Sequence, residues 1–126
     1  MNMATQQVTH SDDETIEQEI QRKGKTAPRL TPTDIEAAIV SEHFFTAADP
    51  FLIDGGWPDD LPQALRLLTF CVLVLRNGFT VTGESACASP ENFDRDIGRK
   101  IARQNAVGKI WPLEGYLLKQ RLRDGA

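Results

Sequence analysis

The run Leu67-Leu-Thr-Phe-Cys-Val-Leu-Val-Leu-Arg-Asn-Gly-Phe-Thr-Val-Thr-Gly83 reads as two β-strands joined at Asn77-Gly78. An Asn-Gly pair between apolar runs is a strong hairpin signal, because a two-residue type I′ turn needs positive φ at both central positions. With those two residues as the loop, Arg76 faces Phe79, Val74 faces Val81 and Val72 faces Gly83. This register places Phe70, Val72, Val74, Phe79 and Val81 on one face, and Cys71, Leu73, Leu75, Thr80, Thr82 and Glu84 on the other. The first strand is apolar on both sides. A second layer must therefore cover Leu73 and Leu75, supplied by this chain or by another subunit.

Helical patterns flank the hairpin. Thr31-Pro-Thr-Asp34 opens one helix, with Thr31 as N-cap and Pro32 at the first helical position, and Ile35, Ala38 and Ile39 carry it to about Glu42. His43 to Thr46 is expected as a short strand. Ser89-Pro-Glu-Asn92 opens a second helix, in which Phe93, Ile97 and Ile101 form an apolar stripe widened by Ala102, Ala106 and Ile110. Pro112 is expected to end or kink it after Trp111. Leu113 to Leu122 then reads as a last helix, with Lys119, Arg121 and Arg123 where the helix dipole favours cations. Trp111 and Tyr116 are expected in the core or at a subunit contact, and Glu114 is a candidate buried acceptor.

The 126 residues allow one domain. Residues 1–29 are polar and read as a flexible tail, with a short helix from about Asp12 to Lys23; residues 30–126 form the domain. No apolar run approaches the ~20 residues of a membrane-spanning helix, and no secretory signal opens the chain, so a cytoplasmic protein is expected. The net charge of −4 hides an internal polarity. Residues 31–64 hold seven acidic side chains and no Lys or Arg, whereas residues 65–126 hold ten basic and six acidic ones. An acidic protein with one cationic half is ill suited to coating nucleic acid but leaves room for a local anion site.

Residues 47–64, with Asp49-Pro50, Gly55-Gly56, Trp57-Pro58 and Leu61-Pro62, make a long loop. Phe51, Leu52, Ile53 and Trp57 are side chains of the kind that anchor a loop to a surface, which fits a lid, an interface arm or an insertion particular to this chain. Catalytic signals are weak. Gly-Glu-Ser85-Ala-Cys87 lacks the closing glycine of a nucleophile elbow, and His10 and His43 are not placed to act as its base. His43 stands without a second His or Cys at ligand spacing, so no metal and no cofactor is expected. Cys71 faces Glu84 in the register above, on the opposite side from Cys87, which predicts two free thiols.

Arg95, Arg99 and Arg103 recur every four residues, with Lys100 beside them. Such a row is either a solvated helix face, balanced by Asp94 and Asp96, or a line of guanidinium groups presented to phosphate or pyrophosphate.

Asn77-Gly78-Phe79, Gly83-Glu-Ser-Ala-Cys87, Asn92-Phe93-Asp94, Ile97-Gly98, Asn105-Ala106 and Ile110-Trp-Pro-Leu-Glu-Gly-Tyr116 together resemble the gp-forty-nine-like accessory proteins of tailed phages and prophages. The resemblance spans Cys71 to Leu118, with the Thr31–Glu42 helix a weaker part of it. The same layout is more loosely similar to phage anti-Thoeris proteins. That similarity implies a sponge, which binds a cyclic ADP-ribose-type immune signal, and in related members cyclic oligonucleotides, without cleaving it, and which assembles from dimers into larger rings. It also implies that Phe93, Arg103, Arg121 and Arg123 lie near the ligand, joined by Arg95 and Arg99 of the cationic row. The loop at 47–64 departs from the family's layout and could reshape or cap a pocket.

The expected fold is α+β: a small antiparallel sheet built on the central hairpin and packed by two to three helices, in a homo-oligomer. The expected function is non-catalytic sequestration of a nucleotide-type signal in the cytoplasm of the phage's bacterial host. Its rivals are an accessory protein that inhibits a host protein through the acidic 47–64 arm, and a small hydrolase of the same signals.

Overall fold

The chain builds α1 (His10–Arg22), α2 (Pro32–Ala37), β1 (Ile39–Thr46), β2 (Leu68–Leu75), β3 (Thr80–Ala86), α3 (Arg95–Gly108) and α4 (Ile110–Asp124). The computed structural model describes residues 10–25 and 27–125; the first nine residues of the expected tail and its Thr26 lie outside them. The fold is α+β, with one antiparallel sheet in the order β1-β2-β3.

The predicted hairpin forms, but with three loop residues rather than two. Leu75 N–H donates to the Phe79 carbonyl and Gly78 N–H to the Leu75 carbonyl, both at 2.8 Å. Gly78 takes φ +88°, while Asn77 keeps a negative φ and accepts the Phe79 N–H on its Oδ1 at 3.0 Å. A type I turn followed by a left-handed glycine therefore replaces the expected type I′ turn. The register slips by one: Leu73 faces Val81, Cys71 faces Gly83, and Glu84 faces Phe70 rather than Cys71. Because strand side chains alternate, the slip moves all of β3 to the other face. Val81, Gly83 and Ser85 now lie buried with Thr69, Cys71, Leu73 and Leu75, while Thr80, Thr82 and Glu84 are exposed. This register wins because it puts every buried β3 residue beneath one layer and leaves the polar ones in water.

That layer is α3 of the same chain. A Cβ on Gly83 would stand 2.2 Å from the Ala102 carbonyl oxygen and 2.3 Å from the Ala106 nitrogen, so helix and strand touch backbone to backbone. Only small residues fit such an approach. The buried stripe is accordingly Gly98, Ala102, Ala106 and, beyond the helix end, Ile110, and the expected Ile97 is half exposed. Ile35 and Ala38 close the end of this core, with Leu30, Phe44 and Trp111 packed against it.

Helix boundaries also differ from expectation. Thr31 and Asp34 form the expected capping box, but α2 stops at Ala37 and β1 begins at Ile39, where β-branched Ile39 and Val40 join the sheet. Val40 is the extra residue of a bulge between Ile39 and Ser41. Asp94, not Ser89, caps α3, accepting Ile97 N–H at 3.0 Å; Pro90–Asn92 is a single 3-10 turn. The chain breaks at Lys109, and Pro112 sits in the first turn of α4, where a missing N–H costs nothing. The short helix of the polar segment forms as α1 and is tied down: Arg29 grips Glu17 at 2.6 and 2.8 Å, and Trp111 Nε1 donates to Asp13 at 3.3 Å. Among the described residues, no helix is long and apolar enough to cross a membrane.

Candidate functional site

β1 ends at Thr46 and β2 resumes at Leu68 opposite its end, so residues 47–67 leave the sheet and return to the same place. Polar contacts fix this excursion at its base. Asp49 accepts the Thr46 N–H and hydroxyl, both at 2.9 Å, and Trp57 Nε1 donates to the Ala48 carbonyl at 2.7 Å. Of the four large side chains expected to anchor the loop, Trp57 does so. Phe51, Leu52 and Ile53 instead protrude, 49%, 52% and 62% exposed, beside a tight turn at Asp54-Gly55.

Between the base of the excursion, the sheet end and the start of α3 lies a cleft of about 460 Å³, within the ~300–1,000 Å³ range of small-molecule pockets. Phe45, Trp57 and Phe93 line it with aromatic rings; Arg66, Arg95 and Arg99 line it with guanidinium groups; Asp49 and Thr69 are among its polar groups. Arg66 stacks over the Trp57 ring at 4.8 Å, and its Nε is buried with no hydrogen-bond partner. Phe45 stacks on Phe70 at 5.4 Å.

The arginine row reaches this cleft for a geometric reason. Four helical residues rise about 6 Å and two strand residues about 7 Å, so a four-residue row on a helix matches alternate residues on a strand beside it. Here α3 packs on β2 and β3, and its arginine row reaches across to the inward-facing Glu42 and Phe44 of β1. Arg103 donates to Glu42 at 2.7 Å and to Glu36 at 2.8 Å, and Arg99 lies over the Phe44 ring at 5.4 Å. Arg95 runs past the end of the strand into the cleft. The row is thus neither wholly solvated nor wholly free. Glu36 first, and Glu42 with it, hold the Arg103 guanidinium well above the ordinary arginine range despite partial desolvation.

The structure gathers Phe93, Arg95 and Arg99 of the sequence-predicted site residues around the cleft. Arg103 is engaged by two carboxylates, and Arg121 and Arg123 stand exposed in the last turn of α4, outside the lining of this cleft. Phe45 and Arg66 were missed. Arg66 carried a signal, since it is the first cation after the acidic 31–64 segment. Ser85 is buried in β3 beneath α3, and burial pushes the Cys71 thiol up to about 11. Cys71 and Cys87 are both free.

Two other hollows differ in chemistry. One of about 400 Å³ beneath α1 is lined by Ile16, Ile20, Leu30 and Trp111, and its carboxylates Asp13 and Glu17 are already hydrogen-bonded. The other, about 290 Å³, is an apolar groove between Phe79 of the hairpin and Leu113, Tyr116 and Leu117 of α4; at its side the buried Glu114 pairs with Arg76 at 2.5 Å. The second also brings a cation, Arg76, beside the rings of Phe79 and Tyr116, but that cation is already paired with Glu114. Among the described residues, no group of three or more His, Cys, Asp or Glu could hold a metal ion.

The family profile described as phage protein (N4 Gp49/phage Sf6 gene 66) matches residues 30–122, well over half of the chain, and it is the family expected from the Cys71–Leu118 motifs. No curated protein and no solved structure matches the chain.

Proposed function

The chain belongs to the phage protein (N4 Gp49/phage Sf6 gene 66) family, and we propose that this phage accessory protein binds and sequesters a nucleotide-derived immune signal without cleaving it. The observation that carries this reading is the cleft, in which three aromatic rings and three guanidinium groups converge. Aromatic faces suit a nucleobase and arginine suits phosphate, and a sponge needs both but no nucleophile. The ligand class is cyclic ADP-ribose isomers, extending to cyclic oligonucleotides, held in the host cytoplasm. The protein acts as a homo-oligomer; the half-buried outer sheet face of Phe70, Val72 and Val74, against which no helix packs among the described residues, supports a second copy there.

The test is thermal unfolding with cyclic ADP-ribose isomers and cyclic di- and trinucleotides, followed by mass spectrometry of ligand released on heating. Ligand at 100 times its Kd adds about 2.7 kcal/mol of stability. A raised Tm with intact ligand released is the expected result, and a chemically changed product would replace the sponge with a hydrolase. No shift with any nucleotide would favour the second reading, an inhibitor of a host protein. The exposed Phe51-Leu52-Ile53 tip on an acidic segment supports that alternative.

A further inference from the structure

Resting on the cleft as the ligand site, we infer that Arg66, Arg95 and Arg99 form a subsite for a pyrophosphate or two neighbouring phosphate groups, with Arg66 as its specificity-determining residue. Three other arginines show what this protein does with a guanidinium it uses structurally. Arg29 pairs with Glu17, Arg76 with Glu114, and Arg103 with Glu36 and Glu42. Arg66, Arg95 and Arg99 pair with no carboxylate among the described residues.

Arg66 is the telling member. Its plane is set by stacking on Trp57, and Trp57 is itself held by its hydrogen bond to Ala48. Its Nε is buried and has no acceptor. A ligand in the cleft does not reach that sealed atom; it meets the terminal nitrogens of the same guanidinium, which no carboxylate takes among the described residues and which are suited to an anionic oxygen. Among the described residues the only carboxylate lining the cleft, Asp49, already accepts from the Thr46 N–H and hydroxyl. It leaves the three guanidinium groups in excess by two charges, which matches a dianion. The cations also come from two walls, Arg66 from the excursion and Arg95 and Arg99 from α3. A pyrophosphate presents anionic oxygens on two phosphorus atoms and can serve both walls, whereas a single phosphate serves one fully.

Calorimetric titration with inorganic pyrophosphate, orthophosphate, ADP and adenosine tests this. Pyrophosphate and ADP are expected to bind at least about ten-fold more tightly than orthophosphate, with adenosine, which lacks the anion, bound more weakly than ADP. Arg66→Gln should weaken pyrophosphate binding by about ten-fold or more, whereas Lys119→Gln, exposed and outside the cleft, should leave it unchanged. If Arg66→Gln does not fold, Arg95→Gln carries the same test from an exposed position. Equal affinity for pyrophosphate and orthophosphate, or unchanged pyrophosphate affinity in the folded Arg66 variant, would overturn the subsite. The two readings fail separately. A cyclic nucleotide held equally by wild type and Arg66→Gln would leave sequestration standing and remove the subsite. Pyrophosphate binding lost in Arg66→Gln, with no nucleotide signal bound by wild type, would keep the subsite and remove sequestration.

Discussion

The two ends of α3 rest on the sheet in opposite ways. Towards its C-terminus, Ala102 and Ala106 lie against Gly83 with no room for a single added carbon. At its N-terminus, Arg95, Arg99 and the preceding Phe93 border a cleft of about 460 Å³. Side-chain size makes the difference. Glycine and alanine let helix and sheet close, as far as Gly98 against the Thr69 side chain, while the ring of Phe93 and the guanidinium groups of Arg95 and Arg99 border the open space. One end is a rigid seam, and the other is a space kept open by residues that could have been small.

The largest expected effect comes from breaking the seam. Gly83→Val should destabilise the fold by about 3 kcal/mol or more, since its neighbours at 2.2 and 2.3 Å are backbone atoms that cannot swing aside. Denaturant unfolding measures it, and a loss below 1 kcal/mol would show that α3 can lift off the sheet. Arg76→Ala comes next. It strands the carboxylate of Glu114, which is 6% exposed, and should cost about 2 kcal/mol at neutral pH. The double variant with Glu114→Gln should recover part of that loss, and a strictly additive double variant would count against the pair.

On the open side the changes are smaller and more local. Trp57→Phe removes the bond to Ala48 and should cost about 1 kcal/mol, with faster amide exchange confined to residues 47–67. Exchange rising equally along α3 would mean that cleft and seam are one unit. The mildest test concerns α1. The hydrogen bonds from Arg29, then that from Gln21, lower the Glu17 carboxyl from the usual 4.5 to about 2. A carboxyl depressed in the folded state contributes stability above pH 4.5, and that contribution is lost as pH falls towards 2. The protection of α1 amides, relative to their intrinsic exchange rate at each pH, should therefore fall over that window, and Glu17→Gln should abolish the step.

Local chemistry was legible in the chain. Thr31, Pro32 and Asp34 announce α2, Asn77-Gly78 announces the hairpin, and Glu114 beside Trp111 and Tyr116 is a candidate buried acceptor. Signals that depend on distant packing were not. The hairpin's register hung on whether Asn77 and Gly78 both took the left-handed position or Gly78 did alone, a choice made by which β3 face α3 could cover. Ile97 looked like core because its spacing was right, yet the close approach at Gly83 turned the small residues inward instead. Arg95, Arg99 and Arg103 looked equivalent because they share a period. Only their alignment along β1 separated Arg103, paired with Glu36 and Glu42, from Arg95, which runs beyond the strand.

The sequence by itself determined an α+β domain of the phage family, the cap of α2, the place of the hairpin in the chain and a charge polarity between its halves, because these depend on residues adjacent in the chain. The tertiary structure decided which arginines are used up and which remain. Pairing a cation with a carboxylate depends on distances between residues sixty apart in sequence, and those distances exist only once α3 is seated on the sheet.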